Sequence, residues 1–277
     1  MTVAARFRQI FRRPPIVPVV RLTGVIAASS NWRSDLSLRS VAKQLTRAFA
    51  VKSAPAVAIV INSPGGSPVQ SHLIYQRIRA LAAEKKKPVF VFVEDVAASG
   101  GYLIALAGDE IIADASSIVG SIGVVSSSFG FTGLMEKIGV ERRLHTAGDK
   151  KRMLDPFQPE RDADVEHLKA LQAEIHQSFI DLVRHRRKTL ADDPDIFSGA
   201  FWTGAKAKSL GLVDHLGEMR SFLRQRLGKR VRMQLFAERR GFLRRWTSSS
   251  VDRLRPDLVG AMIEAVEEKA HWQRFGL

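Results

Sequence analysis

The sequence predicts an α/β domain built on a parallel sheet, and three observations lead there. Two continuous apolar runs, 56–62 and 88–93, lack the alternation of one-sided strands and read as strands covered on both faces. The first stops at the small residues Ser63-Pro64-Gly65-Gly66, and the second ends at Glu94-Asp95, just before the small-residue stretch Ala97-Ala98-Ser99-Gly100-Gly101. Helical spacing follows each break, and a repeated order of strand, turn and helix is how parallel strands are connected.

The remaining elements fall into place around that pair. Residues 16–27 are β-branched and apolar around Gly24 and read as a first strand. A helix over 36–50 is marked by Leu38, Val41, Leu45 and Phe49, and another over 71–83 by Leu73, Ile74, Ile78 and Leu81. Short strands are expected at 111–113 and 118–125. The clearest helix is 161–188, where Val165, Leu168, Leu171, Ile175, Phe179 and Leu182 recur at helical spacing. After Gly217, Val231, Met233 and Leu235 alternate with Arg232 and Gln234, which suggests one edge strand. A basic run at 239–245, a polar break at 248–250 and an amphipathic helix through Leu258, Met262 and Val266 complete the chain. This divides it into a basic N-terminal tail (1–15), a main domain (16–217) and a basic C-terminal extension (218–277), without internal repeats.

Composition narrows the chemistry. The 277 residues include no cysteine, which excludes disulfides, thiolate nucleophiles and cysteine-based zinc sites, and fits a reducing compartment. The formal charge of +15 would suggest a nucleic-acid partner if it were spread over the domain. Instead, residues 1–15 carry four arginines and no acid, and 220–245 carries ten basic residues against the single acid Glu238. The charge therefore belongs to the flanks. Without a recognition motif or aromatic interleaving, a nucleic-acid partner is not expected. No run of 18 apolar residues exists, so a cytoplasmic protein without a membrane-spanning helix is expected. Phe7, Ile10 and Phe11 among the arginines fit either a short helix lying on the inner face of an anionic membrane or a frayed tail.

The two turns are the candidate chemistry. A strand ending in Pro-Gly-Gly presents backbone N–H groups with no side chain in the way, and can aim one at a developing oxyanion. Alone, it is also an ordinary tight turn. Ser99 stands between a buried strand and a helix with small neighbours on both sides, the position of a nucleophile and equally of a helix N-cap. A serine nucleophile needs a base. None of the seven histidines lies between Ser99 and His145, and most sit on expected helix faces, which weakens a Ser-His-Asp arrangement. Lysine can replace histidine when burial lowers its pKa from about 10.4.

Five ordered pieces carry a resemblance: INSPGG (61–66), AASGGY (97–102), VGSIGV (119–124), AGDKKRMLDPF (147–157) and FWTGAKAKSLGLVDHLG (201–217). Together they resemble the signal peptide peptidase A (protease IV) family over residues 16–217, in that family's order and spacing. The resemblance implies a crotonase/Clp-like fold and a serine peptidase with a Ser–Lys dyad and no metal or organic cofactor. It implies Ser99 as nucleophile and Lys151 as general base, with Ser121 holding the lysine amine. The oxyanion hole would use the amide of Gly65 or Gly66, with Gly100 as a second donor. Lys150 stands where an aromatic residue is common in the family, and Lys151 is preferred to it. The length is similar to that of the family's short members, whose subunits form rings and complete the dyad between neighbours. Their substrates are signal-peptide remnants and other extended peptides. Rival readings are a crotonase-type acyl-CoA enzyme, a catalytically inactive membrane-associated scaffold and a Clp-like Ser-His-Asp peptidase.

Overall fold

The computed structural model describes residues 14–28, 36–148, 150–237 and 269–276. Its frame is one eight-stranded sheet. The strands are β1 (Ile16–Thr23), β2 (Val57–Ser63), β3 (Val89–Ala98), β4 (Glu110–Ala113), β5 (Ile118–Gly120), β6 (Phe201–Thr203), β7 (His215–Leu216) and β8 (Arg232–Leu235). They run β6-β5-β3-β2-β1-β8, with β4 and β7 branching beside the first half of β3. All pairs are parallel except β5 with β6.

The two apolar runs become the centre of the sheet because both of their faces are covered. Ile59, Ile61, Val91 and Val93 pack into one core with helices α1 (Leu38–Phe49), α2 (Pro68–Lys85) and α3 (Gly100–Ala105). Their sequence neighbours Ala58, Val60, Phe90 and Phe92 face the other way, under α7 (Met219–Leu227) with its Phe222 and Leu223. Period-two alternation between two hydrophobic layers is what a continuous apolar strand satisfies. Helix α1 begins at a capping box in which the Ser37 and Ser40 side chains each accept the other's backbone N–H. Helix α2 carries proline in its first turn and ends at Lys86 in the left-handed region (φ 50).

Three expectations are changed by the packing. The second buried strand continues to Ala98, because two extra residues at Glu94-Asp95 shift its register between the Ile61–Val93 and Ser63–Ala97 pairs. Asn62 bridges that irregularity, donating to Asp95 Oδ2 at 2.5 Å while accepting the Val96 N–H at 3.2 Å. The strand expected over 118–125 stops at Gly120, since Ser121 turns out of the sheet at φ 54. Residues 219–235, assigned by sequence to the extension, belong to the same fold, α7 covering the second face of the sheet and β8 joining it. Strand β8 pairs parallel with β1, Ile16 opposite Arg232, and Leu223 and Val231 are buried. The helix expected around Leu258, Met262 and Val266, and nearly all of the 1–15 tail, fall outside the described residues.

Residues 124–160 behave differently. They contain only the short helix α4 (Thr132–Lys137) and are exposed almost throughout. They lead into α5 (Asp162–Arg186), whose 25 residues span about 37 Å. Only its C-terminal part joins the core, through Phe179, Leu182 and Val183. Leu171 and Ile175, members of the same helical stripe, are exposed. A second, small helix α6 (Gly204–Ser209) and a 3-10 turn at Pro194–Phe197 close the domain below it.

Candidate active site

The C-terminal ends of β2 and β3 bring both sequence-marked turns together. Ser99 occupies the junction of β3 and α3 at φ 51, ψ −121, a conformation L-residues rarely adopt. Such strain costs on the order of 1–3 kcal/mol and persists only where the surroundings enforce it. A serine on a strained strand-to-helix turn presents its hydroxyl outward, the geometry of a nucleophile elbow. The enforcing contacts are visible. The Ser99 N–H donates to Gly120 O at 2.8 Å, and its carbonyl accepts from Leu103 N at 3.0 Å. Although Ser99 sits at the N-cap position, its hydroxyl makes no capping bond, so capping does not account for the residue.

Glycine at 65 and 66 is required by closeness. A Cβ on Gly65 would lie 2.8 Å from Ser99 Cβ, and one on Gly66 only 2.1 Å from Ile26 O, with both residues at positive φ. Gly100 and Gly101 are equally confined, by Ser71 Oγ and by the Ser63 carbonyl. Small residues at both turns thus let two backbones cross in contact.

The amides divide cleanly. Gly65 N–H donates to Ser63 Oγ at 3.2 Å, and the same buried hydroxyl donates to Gly24 O at 2.7 Å. Around Gly66 the chain bridges to β1's extension, with Ile26 N donating to Gly65 O and Ser67 N to Ile26 O, both at 2.7 Å. In a parallel bridge the paired residue's own N–H points to the opposite side. The Gly66 N–H therefore faces away from β1, and it has no hydrogen-bond partner among the described residues. Gly100 is the first residue of α3, where the N–H has no intrahelical acceptor.

Ser121 follows directly. It is buried at φ 54, donates its N–H to Ala200 O at 2.6 Å, and leaves its hydroxyl without a hydrogen-bond partner among the described residues. His176 of α5 bonds the next carbonyl, Ile122 O, at 3.0 Å. Sequence reasoning did not find Ser63, Asn62 or His176. Ser63 and Asn62 lie inside a quoted motif, but only the fold gives them partners.

Ser99, Gly65, Gly66, Gly100 and Ser121 thus lie at the C-terminal ends of strands β2, β3 and β5. Lys151 is not among them. It lies in a turn of the 124–160 arm, exposed like Lys150, with no hydrogen bond to Ser99 or Ser121. The arm holds itself together through Phe131 stacked on Phe157, the Arg142 guanidinium 4.8 Å from the Phe157 ring, and an Arg142–Asp155 ion pair. Its apolar side chains face water: Val125 is 77%, Phe129 70% and Ile138 60% exposed. Among the described residues no cluster of three or more His, Asp or Glu is arranged to hold a metal ion.

Family comparison agrees with this geometry. Residues 82–231 match the model of peptidase family S49, and residues 21–118 that of Clp protease. The chain belongs to peptidase family S49. Among its relatives, the chloroplastic serine protease SPPA of Arabidopsis thaliana is 33% identical over 210 residues, covering 73% of this chain and 30% of that protein. Protease 4 of Haemophilus influenzae is 31% identical over 211 residues, 74% of this chain and 33% of the relative. A Brucella abortus protein named Na(+)/H(+) antiporter NhaA is 60% identical over 271 residues, 94% of this chain and 37% of that protein. The S49 chain thus spans about a third of the length of these relatives. No helix among its described residues is long and apolar enough to cross a membrane. The matched fold is Clp-protease-like, with a mostly parallel sheet and flanking helices.

Proposed function

We propose that this chain is a serine endopeptidase that hydrolyses extended peptides, signal-peptide remnants among them, with Ser99 as nucleophile and Lys151 of a neighbouring copy as base. The observation that carries the proposal is the strained Ser99 elbow, packed against the Gly65-Gly66 turn, with the Gly66 and Gly100 N–H groups unpartnered among the described residues. An exposed hydroxyl and convergent N–H donors are the parts acyl transfer needs. Of the two candidate glycines in the first turn, Gly66 fits better, since the Gly65 N–H is occupied by Ser63.

In the proposed reaction neutral Lys151 Nζ takes the Ser99 proton as Oγ bonds to the peptide carbonyl carbon. The carbonyl electron pair moves onto oxygen, facing Gly66 and Gly100 N–H. Collapse of this intermediate breaks the C–N bond, and the lysine ammonium protonates the leaving nitrogen. Water then adds to the acyl-enzyme with Lys151 again taking the proton. Cleavage of the ester returns a proton to Ser99 Oγ, and the hydroxyl of Ser121 accepts from the amine and fixes its aim. An amine becomes a base when water is excluded from it. Assembly of copies through the exposed row of Val125, Phe129, Leu134 and Ile138 would supply that exclusion.

The test is hydrolysis of a fluorogenic peptide by Ser99→Ala and Lys151→Ala proteins, alone and mixed. Each alone should be inactive, and mixing should restore part of the activity, because a mixed assembly contains interfaces with one intact serine and one intact lysine. Full activity in either single variant would end the proposal. Two inactive variants that stay inactive when mixed would place both residues in one protomer.

A further inference from the structure

A second surface carries charge that the peptidase reading does not use. Helix α1 (LRSVAKQLTRAF) contains no acidic residue, and Arg39, Lys43 and Arg47 recur along it at intervals of four. Like charges at that spacing repel one another and weaken the helix. Helix α1 forms because Val41, Leu45, Ala48 and Phe49 bury its other face. Further cations close on its C-terminal end. The Arg77 guanidinium donates to Thr46 Oγ1 at 3.0 Å, Lys87 Nζ donates to the Phe49 carbonyl at 2.9 Å, and Lys52 stands exposed three residues beyond the helix. None of these six forms an ion pair among the described residues. The neighbouring acid, Glu84, is held by Lys85 at 2.7 Å. Burial and the nearby Lys85 charge lower the pKa of the Lys87 ammonium, as crowding of positive charge requires.

This face reaches Phe236 of the described C-terminal segment. Arg47 lies 5.7 Å from the Phe236 ring, and Phe236 N–H bonds Val19 O. The run that begins three residues later reads Arg239-Arg240-Gly241-Phe242-Leu243-Arg244-Arg245-Trp246. In the β1–β8 pairing Arg232 N–H bonds Pro15 O, and in sequence residues 1–13 contain Arg6, Phe7, Arg8, Ile10, Phe11, Arg12 and Arg13. Arginines interleaved with Phe, Leu, Ile and Trp have the composition of segments that sit at a lipid interface, where cations meet headgroups and rings meet acyl chains. Duplex binding would use the cations and leave those apolar side chains in water.

We infer that the α1 face, with Arg39, Lys43, Arg47 and Lys52 at its centre, docks peripherally on a bilayer rich in anionic phospholipid. Each cation brought to such a surface adds to binding, within a Debye length and in a salt-dependent way. The test uses the full chain with vesicles of phosphatidylglycerol and phosphatidylcholine at 30:70, and with phosphatidylcholine alone, in sedimentation at about 0.1 M salt. Binding should need the anionic lipid and fall as salt rises. The variant Arg39→Glu/Lys43→Glu/Lys52→Glu should lose at least about tenfold in partitioning, while its melting temperature and its hydrolysis of a soluble peptide stay as in the parent. The milder Arg39→Gln/Lys43→Gln variant should show a smaller loss with the helix intact, since removing repelling charges does not weaken it. Equal binding to neutral vesicles, unchanged binding by the charge-reversed protein, or tighter binding to duplex DNA than to anionic vesicles at the same salt would each overturn the inference. Vesicle binding is read without peptide hydrolysis, so its failure and that of the peptidase proposal are separate.

Discussion

Around Ser99, position is dictated by backbone, whereas around Lys151 it is left open. The serine is fixed by β3, by its bond to Gly120 O, and by a glycine pair that tolerates no Cβ. The lysine stands on an arm whose apolar side chains face solvent and whose contacts are mostly with itself. A rigid element stores strain because its neighbours over-determine it. An element without neighbours stores none, and acquires a defined geometry only when something docks on it. The elbow is therefore held within one chain, whereas the proposed base would gain its place only by assembly.

The largest expected effect comes from breaking the rigid side. Gly66→Ala sets a Cβ 2.1 Å from Ile26 O at φ +134, and should abolish peptide hydrolysis while costing more than about 2 kcal/mol in denaturant unfolding. Its counterpart on the open side is Lys151→Ala. It should remove hydrolysis as thoroughly yet move stability by less than about 0.5 kcal/mol, because the side chain is exposed. Comparable destabilisation by both would erase the contrast.

Two smaller effects sharpen it. Ser63→Ala removes the hydroxyl that joins Gly24 O to Gly65 N–H, so kcat should fall roughly 10- to 100-fold, as for a displaced oxyanion donor, with KM little changed. A rise in KM alone would show that Ser63 serves binding instead. Ser99→Gly relieves the backbone strain that Ser99→Ala keeps, so among these two inactive proteins the glycine variant should be the more stable by about 1 kcal/mol.

The last prediction concerns the foot of α5, the lever that carries the arm. Arg187 grips Asp214 with two hydrogen bonds of 2.8 and 2.9 Å, and Asp214 also accepts the Ile111 N–H. Burial alone would raise the Asp214 pKa, but the bonds from Arg187 and Ile111 outweigh it and the carboxyl is held below its usual value. In the unfolded chain Asp214 binds its proton first on acidification. The clamp's stabilisation is therefore complete above about pH 4 and fades as pH falls through the lower, folded value. Arg187→Met should flatten that part of the stability-against-pH curve.

Much of the rigid side was legible in the sequence. Continuous apolar runs ending in small residues can hardly be anything but buried strands entering tight turns, and the packing at Gly65, Gly66 and Gly100 explains why those turns are small. Three things were not legible. The two extra residues at Glu94-Asp95 look like ordinary strand ending, because a bulge alters register and not composition. Residues 219–235 read as an appendage because arginines hide the apolar face of Phe222, Leu223 and Leu227 that covers the second side of the sheet. The stripe on α5 has core-like spacing, but periodicity cannot distinguish a face buried in its own chain from one awaiting another chain.

The peptide unit between Gly120 and Ser121 has one further consequence. Its oxygen accepts the Ser99 N–H, and its nitrogen donates to Ala200 O. A peptide group is planar, so these two bonds clamp a single stiff plate from opposite ends. Ser99, the proposed nucleophile, and the hydroxyl proposed to aim the amine are thereby mounted on the same plate. A subunit that shifts by an ångström misaligns its lysine from both at once, so catalysis should answer to assembly as a latch does, engaged or disengaged, with little in between.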